Sequence, residues 1–168
     1  MNYSRKPLDE FLHPFRHDQG VTRILGTDLS LTKIENNQAL RVYKINEENA
    51  MVVEVDLDMN VKSVMIVSKP ISENPKVTLK NMADLEIILM TVISTSVGTT
   101  KAQSLAILKS LGLFEVNAAT RSHVKTTIDE IDFIKKLGPG TITFSISESD
   151  KLHKKLNREA KIKRIFRN

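Results

Sequence analysis

The chain has 168 residues and a net charge of +5, with 40% hydrophobic and 27% charged residues, a balance that excludes an intrinsically disordered polymer. It contains no cysteine, which excludes disulfides and thiolate metal sites. No apolar run is longer than that of Ile87–Met90, which is followed by Val92 and Ile93, far short of the about 20 residues that span a bilayer.

These properties predict a single domain over residues 1–168 with no membrane partner. The first residues, MNYSRKPLDEF, carry charges where a secretory signal needs an apolar stretch, which predicts a cytoplasmic location.

Within 1–20, Pro7 is followed by Leu8, Phe11, Leu12 and Phe15, the spacing of a helix with one apolar face. Pro14 limits it to about two turns. Those four side chains have two possible uses: docking in a partner's groove or covering the chain's own sheet. His13 and His17 lie four apart, a spacing that can place two imidazoles on one metal, but the ligand set is too small for a site.

The β-rich half, 21–69, begins with one or two strands over 21–34. It continues with three β-branched segments, Leu40–Ile45, Met51–Leu57 and Val61–Val67, joined by turn residues as an antiparallel meander. Centring the first turn between Glu47 and Glu48 sets Val42 opposite Val53, Leu40 opposite Val55 and Arg41 opposite Glu54. Centring the second between Met59 and Asn60 sets Val53 opposite Ile66 and Val55 opposite Val64, so that one face is apolar throughout. On the strand, Glu54, Asp56 and Asp58 recur every second residue. Such carboxylates suit a cation or acid–base chemistry, or simply the wet face of a sheet.

A breaker-rich connection from Lys69-Pro70 to Asn74-Pro75 leads into the mainly helical half, 78–147. Leu79, Met82, Ala83, Leu85, Ile88, Leu89, Val92 and Ile93 predict a buried helix over 78–97. Gly98-Thr99-Thr100-Lys101 resembles a phosphate loop faintly but lacks its spacing. It reads better as a cap for a second helix, 101–111, stopped by Gly112. Thr126 or Thr127 opens a third helix through Ile128, Ile131, Ile134 and Leu137, ended by Gly138-Pro139. Thr141–Ser147 alternates as a half-buried strand.

The last segment, 148–168, concentrates charge. It holds eight of the 25 Lys/Arg residues and three of the 20 Asp/Glu residues, so the entire net charge of +5 lies there and the preceding residues balance. The pattern predicts a basic amphipathic helix with Leu152, Leu156, Ala160, Ile162 and Phe166 on one side. Lys151, Lys154, Lys155, Arg158, Lys161, Lys163, Arg164 and Arg167 are the candidate polyanion-binding residues, because each neutralised phosphate releases counterions. The same face would also suit an acidic protein or plain solvation.

The fold class is therefore α+β, an antiparallel sheet of about four or five strands packed against helices, with a basic C-terminal helix. The order helix, three-stranded meander, helix resembles, in architecture alone, the secretion-chaperone-like α/β domains. That resemblance implies a dimer holding unfolded client segments, although those proteins tend to be acidic. No catalytic motif and no cofactor is indicated. A non-enzymatic binding protein for nucleic acid follows, the alternatives being a protein-interaction module, including self-association, and an enzyme built on the strand carboxylates.

Overall fold

The computed structural model describes residues 5–17, 20–21, 30–33, 39–113 and 122–167. Much of the segment expected to hold one or two strands over 21–34 lies outside the described residues; within it, Ser30–Lys33 forms β1. The strands that follow are β2 (Leu40–Lys44), β3 (Asn49–Val55), β4 (Val61–Ser68), β5 (His123–Ile128), β6 (Ile131–Gly138) and β7 (Thr141–Glu148). They form one antiparallel sheet in the order β1-β2-β3-β4-β7-β6-β5. The helices are α1 (Leu8–His17), α2 (Pro75–Val97), α3 (Lys101–Ser110) and α4 (Asp150–Arg167). The class is α+β, with seven strands among the described residues where four or five were expected.

Two of the additional strands come from the segment expected to be a third helix. Residues 123–138 form a hairpin, β5 and β6, turning at Asp129 and Glu130 with φ of 49° and 64°. Ile128, Ile131 and Ile134 imitate helical spacing because a two-residue turn resets a period-two alternation. The turn carries no glycine or asparagine, the residues that usually occupy left-handed positions. Contacts from the residues that follow the neighbouring strand β7 hold it instead: Ser149 donates its backbone N–H to the Glu130 carbonyl (2.8 Å), and Lys151 Nζ lies 2.7 Å from Glu130 Oε1. Gly138 pairs with Thr141 as a hairpin closure rather than a helix stop.

The meander is present with a different register. Tyr43 pairs with Met51 and Arg41 with Val53, one residue away from the expected alignment. The reason is Asn46, whose Oδ1 accepts from the N–H groups of Glu48 and Asn49 and shortens the loop to three residues. Tyr43 and Ile45 consequently face the core, and Leu40 and Val42 face away. In the second hairpin Val53 pairs with Val64 and Met51 with Ile66. That is a two-residue shift, which keeps the same side chains inward. Asp56 sets it by accepting the N–H groups of Asp58 and Asn60 on Oδ1, with Met59 at φ 62°.

One face of the sheet carries the core: Met51, Val53, Val64, Ile66, Phe133, Phe144 and Ile146 are all buried. The helix α2 lies over β4 and β7 on this face, and α1 and α3 pack against α2. Along α2, Leu85, Ile88, Leu89, Val92 and Ile93 point inward, whereas Leu79 is 71% exposed, so the helix buries a stripe rather than its whole circumference. It also starts earlier than the apolar period. Asn74 caps it by accepting from Lys76 N–H and Pro75 occupies the first turn, where a missing N–H costs nothing. Likewise α1 runs past Pro14 to His17. Leu8, Phe11, Leu12 and Phe15 are buried in the chain's own core, with the Phe11 and Phe15 rings 5.5 Å apart. The helix thus packs into the chain's own core and leaves none of these four for a partner's groove.

No single helix among the described residues is long and apolar enough to cross a membrane. Only α2 and α3 together have that composition, and they bend by 111° at their junction.

Candidate polyanion-binding helix

The helix α4 starts where β7 ends. Ser149 accepts the Leu152 N–H on its hydroxyl (3.4 Å) and the His153 N–H on its carbonyl (2.8 Å), and Asp150 lies in the first turn, where a negative charge meets the positive end of the helix dipole. Leu152 is buried and Leu156 and Ala160 are half-buried. Ile162, expected on this packed side, is 46% exposed. At 100° per residue it falls far around the helix from Ala160. Of Phe166, Arg164 and Arg167 only the backbone is described.

A polar chain fastens the inner side. The Glu148 carboxylate, with 2% of its side chain exposed, accepts two hydrogen bonds from the Arg5 guanidinium, at Nε and at Nη2 (2.8 Å). It also meets His153 Nδ1 at 2.9 Å. His153 Nε2 lies 2.9 Å from Asn157 Nδ2, and Asn157 Oδ1 accepts from Arg5 Nη2 at 2.9 Å. Arg5 Nη1 donates to Asp56 Oδ2 at 3.3 Å. One arginine therefore ties the first described residue to the β3–β4 turn, the end of β7 and the last helix. Its charged form is further stabilised, first by the Glu148 hydrogen bond, with burial opposing. Glu148, His153 and Asn157 were legible in principle, since His153 and Asn157 are one helical turn apart and Glu148 immediately precedes the cap. The partner, Arg5, was not, because nothing local joins it to residue 148.

Lys151, Lys154, Lys155, Arg158, Lys161 and Lys163 are all exposed, the first five on the outer side and Lys163 at the azimuth of Leu152 and Leu156, further along the helix. Lys151 pairs with Glu130, which raises its pKa. Among the described residues the other five make no ion pair within the chain. Lys151, Lys154, Lys155, Arg158 and Lys161 fall within about a third of the helix circumference at 100° per residue. Beside this stripe lies a groove of about 870 Å³ between α4 and the β3–β4 hairpin, bordered by Arg5, Arg41, Lys62, Lys161 and Asp56. Arg41 and Lys62 were missed in sequence because nothing local joins their strands to residues 151–163.

The strand carboxylates do not converge. Glu54 lies on the sheet face away from the helices and accepts from Lys62 Nζ (2.8 Å) and Ser63 Oγ (2.9 Å). Burial pushes its pKa up, and those two hydrogen bonds outweigh it, so the carboxyl sits below its ordinary value. Asp56 is spent on the turn and on Arg5, and Asp58 is exposed. Arg41, expected across from Glu54, donates to the Leu40 carbonyl instead. Among the described residues no three His, Cys, Asp or Glu side chains are grouped to hold a metal. Thr100 and Gln103 form a reciprocal capping box for α3 and Gly98 ends α2 with φ 67°, so the Gly98–Lys101 segment is a helix junction.

No protein-family model, no curated protein and no solved structure matches this chain.

Proposed function

We propose that this chain is a nucleic-acid-binding protein that takes up the phosphate backbone along the outer face of α4 and the adjoining groove. The observation that carries this reading is the set of exposed cations Lys154, Lys155, Arg158 and Lys161, which make no ion pair among the described residues, held on a helix whose inner side is anchored by Leu152 and by the Arg5–Glu148–His153–Asn157 chain. Anchoring matters because a docked helix presents its charges without a further ordering cost. Of the cations on the groove's rim, Arg5 is paired with Glu148 and Asp56 and Lys62 with Glu54, so the positive potential of this reading rests on α4 itself. No aromatic stacking platform accompanies the cations, so the reading is of backbone contact, insensitive to sequence.

The test is a filter-binding titration with duplex DNA and with single-stranded RNA across a salt series. Four to five phosphate contacts predict a log–log salt slope of about −4 for the duplex. Replacing Lys154, Lys155 and Arg158 together by Glu is expected to abolish binding at low salt while circular dichroism stays unchanged. Equal binding by that variant, or no binding by the full chain at low salt, overturns the reading. Retention of an acidic protein instead of nucleic acid overturns it as well.

A further inference from the structure

The groove beside α4 differs in chemistry from the stripe it adjoins. On the stripe, Lys154, Lys155, Arg158 and Lys161 make no ion pair among the described residues. In the groove, most charges are engaged inside the chain. Arg5 is paired with Glu148 and Asp56, and Lys62 with Glu54. Asp56 Oδ1 accepts two backbone N–H groups. Asn157 has its amide oxygen on Arg5 and its amide nitrogen on His153. Between these groups the groove is lined by Ala39, Val55, Leu57, Met59 and Ala160.

Two of the apolar lining residues are placed against the usual preference. Leu57 is 86% exposed and Met59 41%. Met59 also has φ 62°, a left-handed conformation that glycine enters freely and other side chains enter at a cost. Neighbouring segments hold the turn in that shape. Leu8 donates its N–H to the Met59 carbonyl at 3.0 Å, and Val61 donates to the Lys6 carbonyl at 2.8 Å. A strained residue other than glycine, kept in place by its surroundings, argues for a use of its side chain. That side chain lies against a guanidinium. Arg41 Nη2 is 3.5 Å from Met59 Sδ, and Arg41 Nη1 donates to the Leu40 carbonyl at 2.9 Å, so the plane of the guanidinium is fixed. A thioether and a fixed guanidinium are both surfaces on which a flat ring packs.

The groove therefore suits an uncharged planar ring, while the helix forming its other wall suits phosphates. A nucleotide unit carries both. In a duplex the bases are stacked and paired and do not reach such a slot, whereas the bases of a single strand are free to turn into it. We infer that the groove holds an unstacked base, so that the chain selects single-stranded over duplex nucleic acid, with Leu57, Met59 and Arg41 touching the base. This rests on the phosphate-binding reading of α4 and adds a strand preference to it. The polar atoms of Asp56 and Asn157 are already engaged, so they read no base edge, and the selection is for strandedness rather than base identity.

The test is fluorescence anisotropy of the full chain at low salt. The probes are labelled single strands of oligo-dT and oligo-dA, about 12 nucleotides long and so within the site sizes of single-strand binders, and a duplex of the same length. The single strands should bind about tenfold tighter than the duplex, in spite of the duplex's higher charge density, and should match each other within a few-fold. Met59→Gly deletes the side chain and relieves the left-handed strain. Its urea midpoint should therefore hold or rise, while its single-strand affinity falls about tenfold and its duplex affinity stays. Leu57→Ser should show the same split. Equal affinity for the two forms overturns the inference and leaves the phosphate contacts of α4 standing, as does undiminished single-strand binding by both variants. Binding of neither form by the full chain removes both readings. Mononucleotide dTMP bound as tightly as oligo-dT also overturns the inference, because the groove would then be a small-ligand site.

Discussion

The two faces of this sheet are built from the same strands and spend their side chains differently. The covered face holds Phe133, Phe144, Met51 and Ile66 under α2, each close to zero exposure. The open face holds Val52, Met65 and Ile134, apolar but only half shielded by their neighbours. Each face also has its own acid. Glu148 is enclosed and bound by Arg5 and His153, while Glu54 is a third exposed and held by Lys62. Burial, not residue type, separates the two sets. The same valine or carboxylate is worth several kcal/mol on one side and a fraction of that on the other.

Substitutions on each face put this contrast to the test. Phe133→Ala removes a ring from the centre of the covered face and should cost about 4 kcal/mol in urea unfolding followed by circular dichroism. Arg5→Ala leaves Glu148 enclosed without its guanidinium and should cost about 3 kcal/mol. If it costs less than Phe133→Ala by a wide margin, the polar chain at the end of β7 is more hydrated than its geometry implies. Met65→Thr, on the open face, should cost less than about 1 kcal/mol in the same measurement. A loss comparable to Phe133→Ala would mean that this face is covered.

The smallest effect is electrostatic. The folded-state pKa of Glu54 lies below its ordinary value of 4.5. Its contribution is therefore complete above that value and is lost as the pH falls toward the lower, folded one. Glu54→Gln should lower stability slightly at neutral pH, and the difference from the parent chain should disappear as the pH falls through that window. A pH-independent loss would point to packing rather than charge.

Much of this architecture is legible in residue order. The β-branched runs 40–45, 51–57 and 61–67, the apolar stripe of α2 and the alternation of 141–147 appear as the elements they form. What escapes is set by side chains acting on turns. The Asn46 and Asp56 carboxamide and carboxylate choose loop lengths that a hydrophobic pattern does not encode, and so they choose the register. The β5–β6 hairpin escapes because Asp129 and Glu130 adopt left-handed conformations that depend on Ser149 and Lys151, distant in sequence. At the candidate site the lysines of α4 are visible as a charge count. That Lys154, Lys155, Arg158, Lys161 and Lys163 make no ion pair among the described residues, and that Arg41 and Lys62 border the neighbouring groove, is visible only once the sheet is in place.

The ladder between β4 and β7 has a consequence for synthesis. Residues 61–68 pair with 141–148, so the centre of the sheet joins two hairpin sets made at different times on the ribosome. The first set emerges with β4 as an open edge, able to accept any other strand. At about 5–20 residues per second, that edge waits on the order of several seconds for its proper neighbour. Arg5 waits longer still, since its clasp on Glu148 and Asn157 closes only when the last helix is out. The nascent chain is therefore most vulnerable to mispairing at its middle strand, and a chaperone serving it would be needed there.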